Sequence, residues 1–506
     1  MSEESNNNRL HPTQVLLNNE NELILFCRSE SISEEGICEI IERHGLAANN
    51  NRIRKYKSFR SACNNERVTE GIMRCLLGYF PAAISDTDDD GRSPFHVACN
   101  NKNVTLNIIQ LLIDAAPDSV RSVDDNGGMP LHWLCGNKTI DEAVAVQICK
   151  LLIEKHPEAV RHADNEGRLP IHFASGRRSP EFCHVLIEAF PGSEQITTRG
   201  GALPLHYACR NNSLATVDYL YKVYPDAIHR TTAGGNYPIH YSIQGMKRRG
   251  YRRGLYPIYV LEIVQFLLNC DPNQKIIKFR RKSLLQCACE WMCSKASIEA
   301  AIQVIKVIFD AHPEAIEDER IATNINLYHQ QVQSFINEHL VLARHAKDHR
   351  LMTTPDMNGR LPLHRALQNN AMLGSIKLLV KGNPAAVLSR DISDALPVHI
   401  ACQHHDSAIV VQYLIGLNAS VLDAVDRQGN TALHHACRGA KHNTIMMLLK
   451  EFDATSVSKR NAHGKLPVDL LWESNAVEDR ESVEYTGSVF QLVRAYPEMT
   501  MISNTT

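Results

Sequence analysis

A nine-residue phrase, Gly201-Ala202-Leu203-Pro204-Leu205-His206-Tyr207-Ala208-Cys209, returns along the chain in register. Gly91-Arg92-Ser93-Pro94-Phe95-His96-Val97-Ala98-Cys99 is the same phrase, and Gly359-Arg360-Leu361-Pro362-Leu363-His364-Arg365-Ala366 follows it. Gly429 to Cys437 repeats it with Ala432 in the Pro slot. Aligned on that slot, the anchors fall at Glu22, Ser58, Pro94, Pro130, Pro170, Pro204, Pro238, Leu284, Asn326, Pro362, Pro397, Ala432 and Pro467. The period is close to 36 residues, and a fixed period of that size means stacked supersecondary units that share their core with neighbours.

Each unit has one physical reading. The anchor Pro suits the first position of a helix, where its missing N–H is not needed. Leu205, Ala208 and Cys209 then lie on one apolar stripe. A polar loop leads to a second amphipathic helix, carrying Val217 and Leu220 here and Ile108, Leu111 and Leu112 earlier. A Pro such as Pro117, Pro157 or Pro225, 13 residues before the next anchor, ends it. A few extended residues and an Asp-x-x-Gly turn close the unit, as in Asp88 to Gly91, Asp164 to Gly167 and Asp426 to Gly429.

A helix–loop–helix–turn unit opening with x-Pro-Leu-His-x-Ala resembles the ankyrin repeat, and the resemblance spans roughly residues 20 to 500. It implies an all-α solenoid of about 12–13 helix-turn-helix units with short finger turns, acting as a non-catalytic protein-binding scaffold or adaptor. Two departures from the family are regular. The Thr of the motif is mostly Leu (Leu169, Leu203, Leu361, Leu396, Leu466), and the Gly after the second helix is mostly Pro. Loss of a capping hydroxyl costs ~1 kcal/mol per helix, so packing between neighbours is expected to compensate.

Solenoids have no upper size limit, so 506 residues fit one array. The sequence predicts a disordered segment at 1–18, a worn capping repeat at 19–53 and a first array at 54–321 with a basic insertion at 245–257. A distorted helical repeat at 322–352, read as continuous helix from Ile325 to His349, a second array at 353–500 and a tail at 501–506 complete the division. With a net charge of −2 and 22% charged residues, the chain is neither disordered nor globally basic. No stretch approaches the ~18 apolar residues of a membrane span. A cytoplasmic or nuclear monomer, without cofactor or metal, is the expectation.

Eight of the fifteen Cys share one repeat position: Cys27, Cys63, Cys99, Cys135, Cys209, Cys289, Cys402 and Cys437. This placement predicts small, reduced core residues, not a disulfide framework. Eight His, from His96 to His434, stand two residues after an anchor. Five precede a row Cys by three residues, half of a zinc-site spacing, but the family resemblance implies a bracing role for this His. In the cluster His329, His339, His345 and His349 only the last two share a helical face. No phosphate loop, nucleophile elbow or dinucleotide fingerprint occurs.

Two charged features stand outside the repeat. The acidic turns Asp88-Asp89-Asp90 and Asp124-Asp125 are expected side by side at adjacent finger tips, open to a basic partner. Between Lys247 and Lys282 lie ten Lys or Arg against two acids, Glu262 and Asp271. Arg248, Arg249, Arg252 and Arg253 form its sharpest part. It reads as a solvated loop, as a patch for an acidic partner or import receptor, or, as the weakest reading, as a nucleic-acid contact.

Overall fold

The structure is a computed structural model and describes residues 21–46, 52–211, 213–245, 256–271, 278–279, 282–291, 298–451, 457–474 and 482–495. The segments at 1–18 and 501–506, and Arg248, Arg249, Arg252 and Arg253, lie outside the described residues. The chain divides into two compact units, Met1–Lys282 and Ser283–Thr506.

Unit 1 is a run of paired helices. They are α1 (21–28), α2 (Glu34–Arg43), α3 (Arg52–Asn64), α4 (Glu70–Tyr79), α5 (Pro94–Cys99), α6 (Leu106–Ala115) and α7 (Pro130–Gly136), then α8 (Glu142–Lys155), α9 (Pro170–Ser175), α10 (Pro180–Ala189), α11 (Pro204–Asn211), α12 (Leu214–Val223), α13 (Pro238–Gly245) and α14 (Tyr256–Cys270). From α3 onward the odd-numbered helices pack on one another in sequence, and so do the even-numbered helices from α2 onward. Two parallel rows result: inner helices that from α5 onward are short and begin at the anchors, and outer helices of mostly ten residues. Leu205, Ala208 and Cys209 of α11 are buried together with Val217 and Leu220 of α12, as the apolar stripes require.

Unit 2 contains α15 (Leu284–Trp291), α16 (Ile298–Ala311), α17 (Glu319–Thr323), α18 (Gln330–His345), α19 (His349–Thr353), α20 (Pro362–Gln368) and α21 (Leu373–Gly382), followed by α22 (Pro397–His404), α23 (Ala408–Leu417), α24 (Ala432–Arg438), α25 (His442–Glu451), α26 (Pro467–Glu473) and α27 (Val483–Ala495). Here α20, α22, α24 and α26 form the inner row, and α21, α23, α25 and α27 the outer one. The architecture is that of an all-α repeat solenoid. Lys278–Phe279 and Lys282–Ser283 form the only strand pair among the described residues.

Local chemistry explains the regularity, and several details differ from the sequence reading. The Pro after most of the described outer helices does not lead straight into extended chain. It opens a 3-10 turn, as in Pro81–Ser85, Pro117–Arg121, Pro157–Arg161 and Pro225–His229. These four turns bury the apolar residues Ile84, Val120, Val160 and Ile228. A 3-10 turn needs few bonds and tolerates Pro at its start. The extra residues of two units do not all go into loops. The outer helices α14 and α16 take some of them, running 15 and 14 residues where α6 has 10.

The Leu-for-Thr exchange costs less than a missing cap would. The amides of His132, His172, His206 and His399 bond the carbonyls of Met129, Leu169, Leu203 and Leu396, at 2.9–3.0 Å. This 3-10 bond satisfies the donor that a Thr hydroxyl would take. Only Thr431 uses its hydroxyl on the amide of the motif His, at 3.4 Å. Hydroxyl or carboxylate caps sit instead on outer helices, from Thr69, Thr105, Asp141 and Ser179.

The expected continuous helix from Ile325 to His349 is broken. A 3-10 turn at Ile325–Leu327 stands where an inner helix would begin, and α18 stops at His345. Asp348 caps α19 by accepting from the Arg350 amide at 2.9 Å. Beside this stretch α21 rests on both α16 and α18. Asp310 of α16 accepts from the Gly374 amide at 2.7 Å, and Lys377 donates to the Asp310 carbonyl at 2.6 Å.

All eight row cysteines are buried and free of disulfides. Burial pushes the Cys27 thiol up to about 12 and also raises those of Cys63, Cys99, Cys135, Cys209, Cys402 and Cys437. The thiolate is the reactive form. N-ethylmaleimide at neutral pH is therefore expected to spare these eight until the protein unfolds. Mass spectrometry showing their modification in the native state would contradict this placement.

Candidate functional site

The inner-helix row carries the motif His residues, and their environment decides what they can do. In each case Nδ1 accepts the N–H of the residue three positions back: Ser93, Met129, Leu169, Leu203, Tyr237, Leu361, Leu396 and Thr431, at 3.0–3.2 Å. That bond fixes the tautomer with hydrogen on Nε2. Nε2 then donates onward to a carbonyl ahead of or within the next finger turn. His96 reaches Gly128, His132 reaches Arg168, His172 reaches Ile196, and His206 reaches Asn236, at 3.0–3.2 Å. His364, His399 and His434 reach Ser389, Ala424 and Lys465 in the same way. One imidazole thus caps its own helix and pins the next repeat.

Burial holds His132, His172, His206, His240, His399 and His434 down to about 4. They are neutral at pH 7. Seven of the eight have both nitrogens committed in the bonds above. The His–Cys spacing therefore builds inter-repeat braces. No metal-holding group of His, Cys, Asp or Glu occurs among the described residues. The second His cluster is dispersed as well. His339 is buried against Phe309 and Phe335 and donates to the Phe335 carbonyl at 2.8 Å. His345 and His349 are exposed on separate helices.

The finger turns stack through single backbone bonds. Asp125 N donates to Asp90 O at 3.0 Å, Asn165 N to Asn126 O at 2.9 Å and Arg199 N to Glu166 O at 2.9 Å. The acidic turns are therefore adjacent, but their five carboxylates have different roles. Asp88 accepts from the Asp90 and Arg92 amides and pairs with Arg60 and Arg92. Asp124 is buried and accepts from Asn126 N, Gly128 N and Trp133 Nε1. Both close their own turns. Asp89, Asp90 and Asp125 are exposed, with Asp90 paired to Arg92. Gly91 takes φ +71° to turn the chain, and a Cβ there would crowd the Asp125 backbone. Of the basic stretch, only residues 256–271, 278–279 and 282 fall among the described residues.

Sequence reasoning passed over a row of aromatic residues. The residue after the motif His is Trp133, Phe173, Tyr207 and Tyr241 in four successive units, and all four are half-buried. Each packs edge-on against the His of the preceding unit, at centroid distances of 6.0, 5.5, 5.6 and 5.1 Å. The Arg168 guanidinium lies 4.8 Å over the Phe173 ring. The signal was the single variable letter inside the phrase, legible only after the repeats are stacked. In unit 2 the same position holds Arg365, Ile400 and His435. His435 is buried, bonded to Asp426 at 3.0 Å and Gln403 at 2.9 Å, and stacked on His399.

The family models for ankyrin repeats match this chain over 90–125 as a single repeat and over 140–232 and 363–461 as arrays of three copies. The chain carries ankyrin repeats over these stretches. No curated protein matches it. Ankyrin repeats are in general protein–protein interaction modules, and no helix among the described residues is long and apolar enough to cross a membrane.

Proposed function

We propose that this chain is a non-catalytic intracellular scaffold or adaptor that binds a protein partner along the inner row of unit 1. The observation that carries this reading is the aromatic row Trp133, Phe173, Tyr207 and Tyr241. Half-buried aromatic residues held rigidly by a braced backbone, with Arg nearby, are the side chains that dominate interface energies. Asp89, Asp90 and Asp125 at neighbouring finger tips extend the surface and favour a partner that is basic at that end. The partner would bind the chain as a monomer, without cofactor. Changing Tyr207 and Tyr241 together to Ala should weaken partner capture in a pull-down by at least ~10-fold, a loss typical of hot-spot residues, while circular dichroism stays unchanged. Unaltered capture would rule out this surface.

The ten-to-two excess of basic residues between Lys247 and Lys282 supports a second reading. In it the chain is a regulatory or nuclear adaptor whose basic loop meets an acidic partner or, less favoured, nucleic acid. Such attraction falls off over a Debye length of ~8 Å at physiological salt. Changing Arg248, Arg249, Arg252 and Arg253 to Ser should then relocate the protein or abolish its salt-sensitive capture. Loss with this variant and not with the Tyr pair would select the second reading.

A further inference from the structure

Two half-exposed cysteines lie outside the buried row: Cys38 on α2 and Cys75 on α4. Their sulfurs are 2.7 Å apart. That is close to the ~2.05 Å of a disulfide and needs only small side-chain rotations to close. The register is set by more than this pair. On the facing sides of these adjacent outer helices, Glu34, Cys38 and Glu42 recur every four residues, opposite Gly71, Cys75 and Tyr79. Residues at that spacing share one helix face. Tyr79 donates to Glu42 at 2.8 Å on one side of the cysteines. On the other, the Glu34 carboxylate fills the space that a Cβ on Gly71 would take. The two sulfurs are held between these contacts.

We propose that Cys38 and Cys75 form a thiol–disulfide site that takes two oxidising equivalents from a small-molecule disulfide and thereby locks α2 to α4. A thiolate of the pair attacks the small disulfide, forming a mixed disulfide and releasing one small thiol. The second protein thiolate attacks the protein sulfur of that mixed disulfide. The Sγ–Sγ bond forms, the mixed bond breaks and the second small thiol leaves. The two cysteines lose two electrons and two protons, and the small disulfide gains them. Burial, the neighbouring Cys38 and the Glu34 carboxylate push the Cys75 thiol up, so closure should accelerate as pH rises. The cross-link would tie the worn first unit to the next one. Closing a long loop restrains opening.

The test uses the full-length protein with oxidised glutathione as the probe, followed by non-reducing digestion and mass spectrometry. The expected product is a Cys38–Cys75 cross-linked peptide in the wild type. In Cys38→Ser and Cys75→Ser the reaction should stop at a glutathione adduct on the remaining thiol. Amide exchange over residues 34–46 should slow by ~10-fold or more in the oxidised wild type, since a cross-linked segment opens less often. A wild type that does not react, that stops at the glutathione adduct, or that pairs either cysteine with another would overturn the assignment. Equal exchange in the oxidised and reduced forms would overturn the locking.

Discussion

Lowering the pH from 7 to 5 at 25 °C is expected to unfold much of unit 1, without any mutation. His132, His172, His206 and His240 sit in successive repeats and are held by burial at about 4, against 6.5 for the free side chain. Their folded values are depressed, so the unfolded chain takes up the proton first. Stability is therefore full above about pH 6.5 and drains away as pH falls from there towards 4. By linkage, a His with these two values loses about 2 kcal/mol by pH 5. Four of them in neighbouring units approach the whole stability of a typical domain. The loss is also structural, because a protonated Nδ1 can no longer accept the helix-start amide. His399 and His434 add to it in unit 2. Hydrogen bonds from His435 and Asn430 outweigh burial and hold the Asp426 carboxyl below the usual carboxylate range, so its own contribution is lost only at lower pH. Thermal melts followed by circular dichroism in steps from pH 7 to 4.5 would check the prediction. A melting temperature that stays flat down to pH 5 would mean that these imidazoles are not buried braces.

Gly439→Ala and Gly416→Ala are expected to move stability in opposite directions. Gly439 follows α24, and a Cβ there would overlap the carbonyl oxygen of Gln403 on the neighbouring inner helix α22. Backbone cannot rotate away as a side chain can, so α22 and α24 must separate. Overpacking of this kind costs about 3 kcal/mol. Gly416 lies exposed within α23, with nothing within 4 Å of an added Cβ. Ala there should stabilise by ~0.5–1 kcal/mol through helix propensity and a less free unfolded chain. Urea titration of the two variants beside the wild type would check both signs. Similar midpoints for all three would refute the close approach of the inner helices.

The repeat could be read because it is written in residues with strong local physics. Pro at a helix start, Gly at a positive φ and small residues on a three-and-four stripe each have few alternatives. The bracing His could be read only through the family resemblance, since its second partner is a carbonyl some 24 to 36 residues away. Backbone acceptors leave no trace in side-chain patterns. For the same reason the ties of Asn65, Asn101 and Asn137 to carbonyls of the preceding unit passed as plain loop polarity. The 3-10 turns that open at Pro81, Pro117, Pro157 and Pro225 were missed because Pro was weighed only as a helix stop. Asp88 and Asp124 looked like free surface charge, and only the turn geometry shows their lone pairs occupied. The aromatic row was hidden because a single variable position acquires meaning once neighbouring units bring it into line.

Amide hydrogen exchange of the full-length chain, free and with its captured partner, tests the proposed binding surface most directly. The account predicts that protection on binding concentrates in α7, α9, α11 and α13 and in the finger turns ahead of them. Protection confined to the outer helices, or to residues 246–282 with the inner row unchanged, would contradict it.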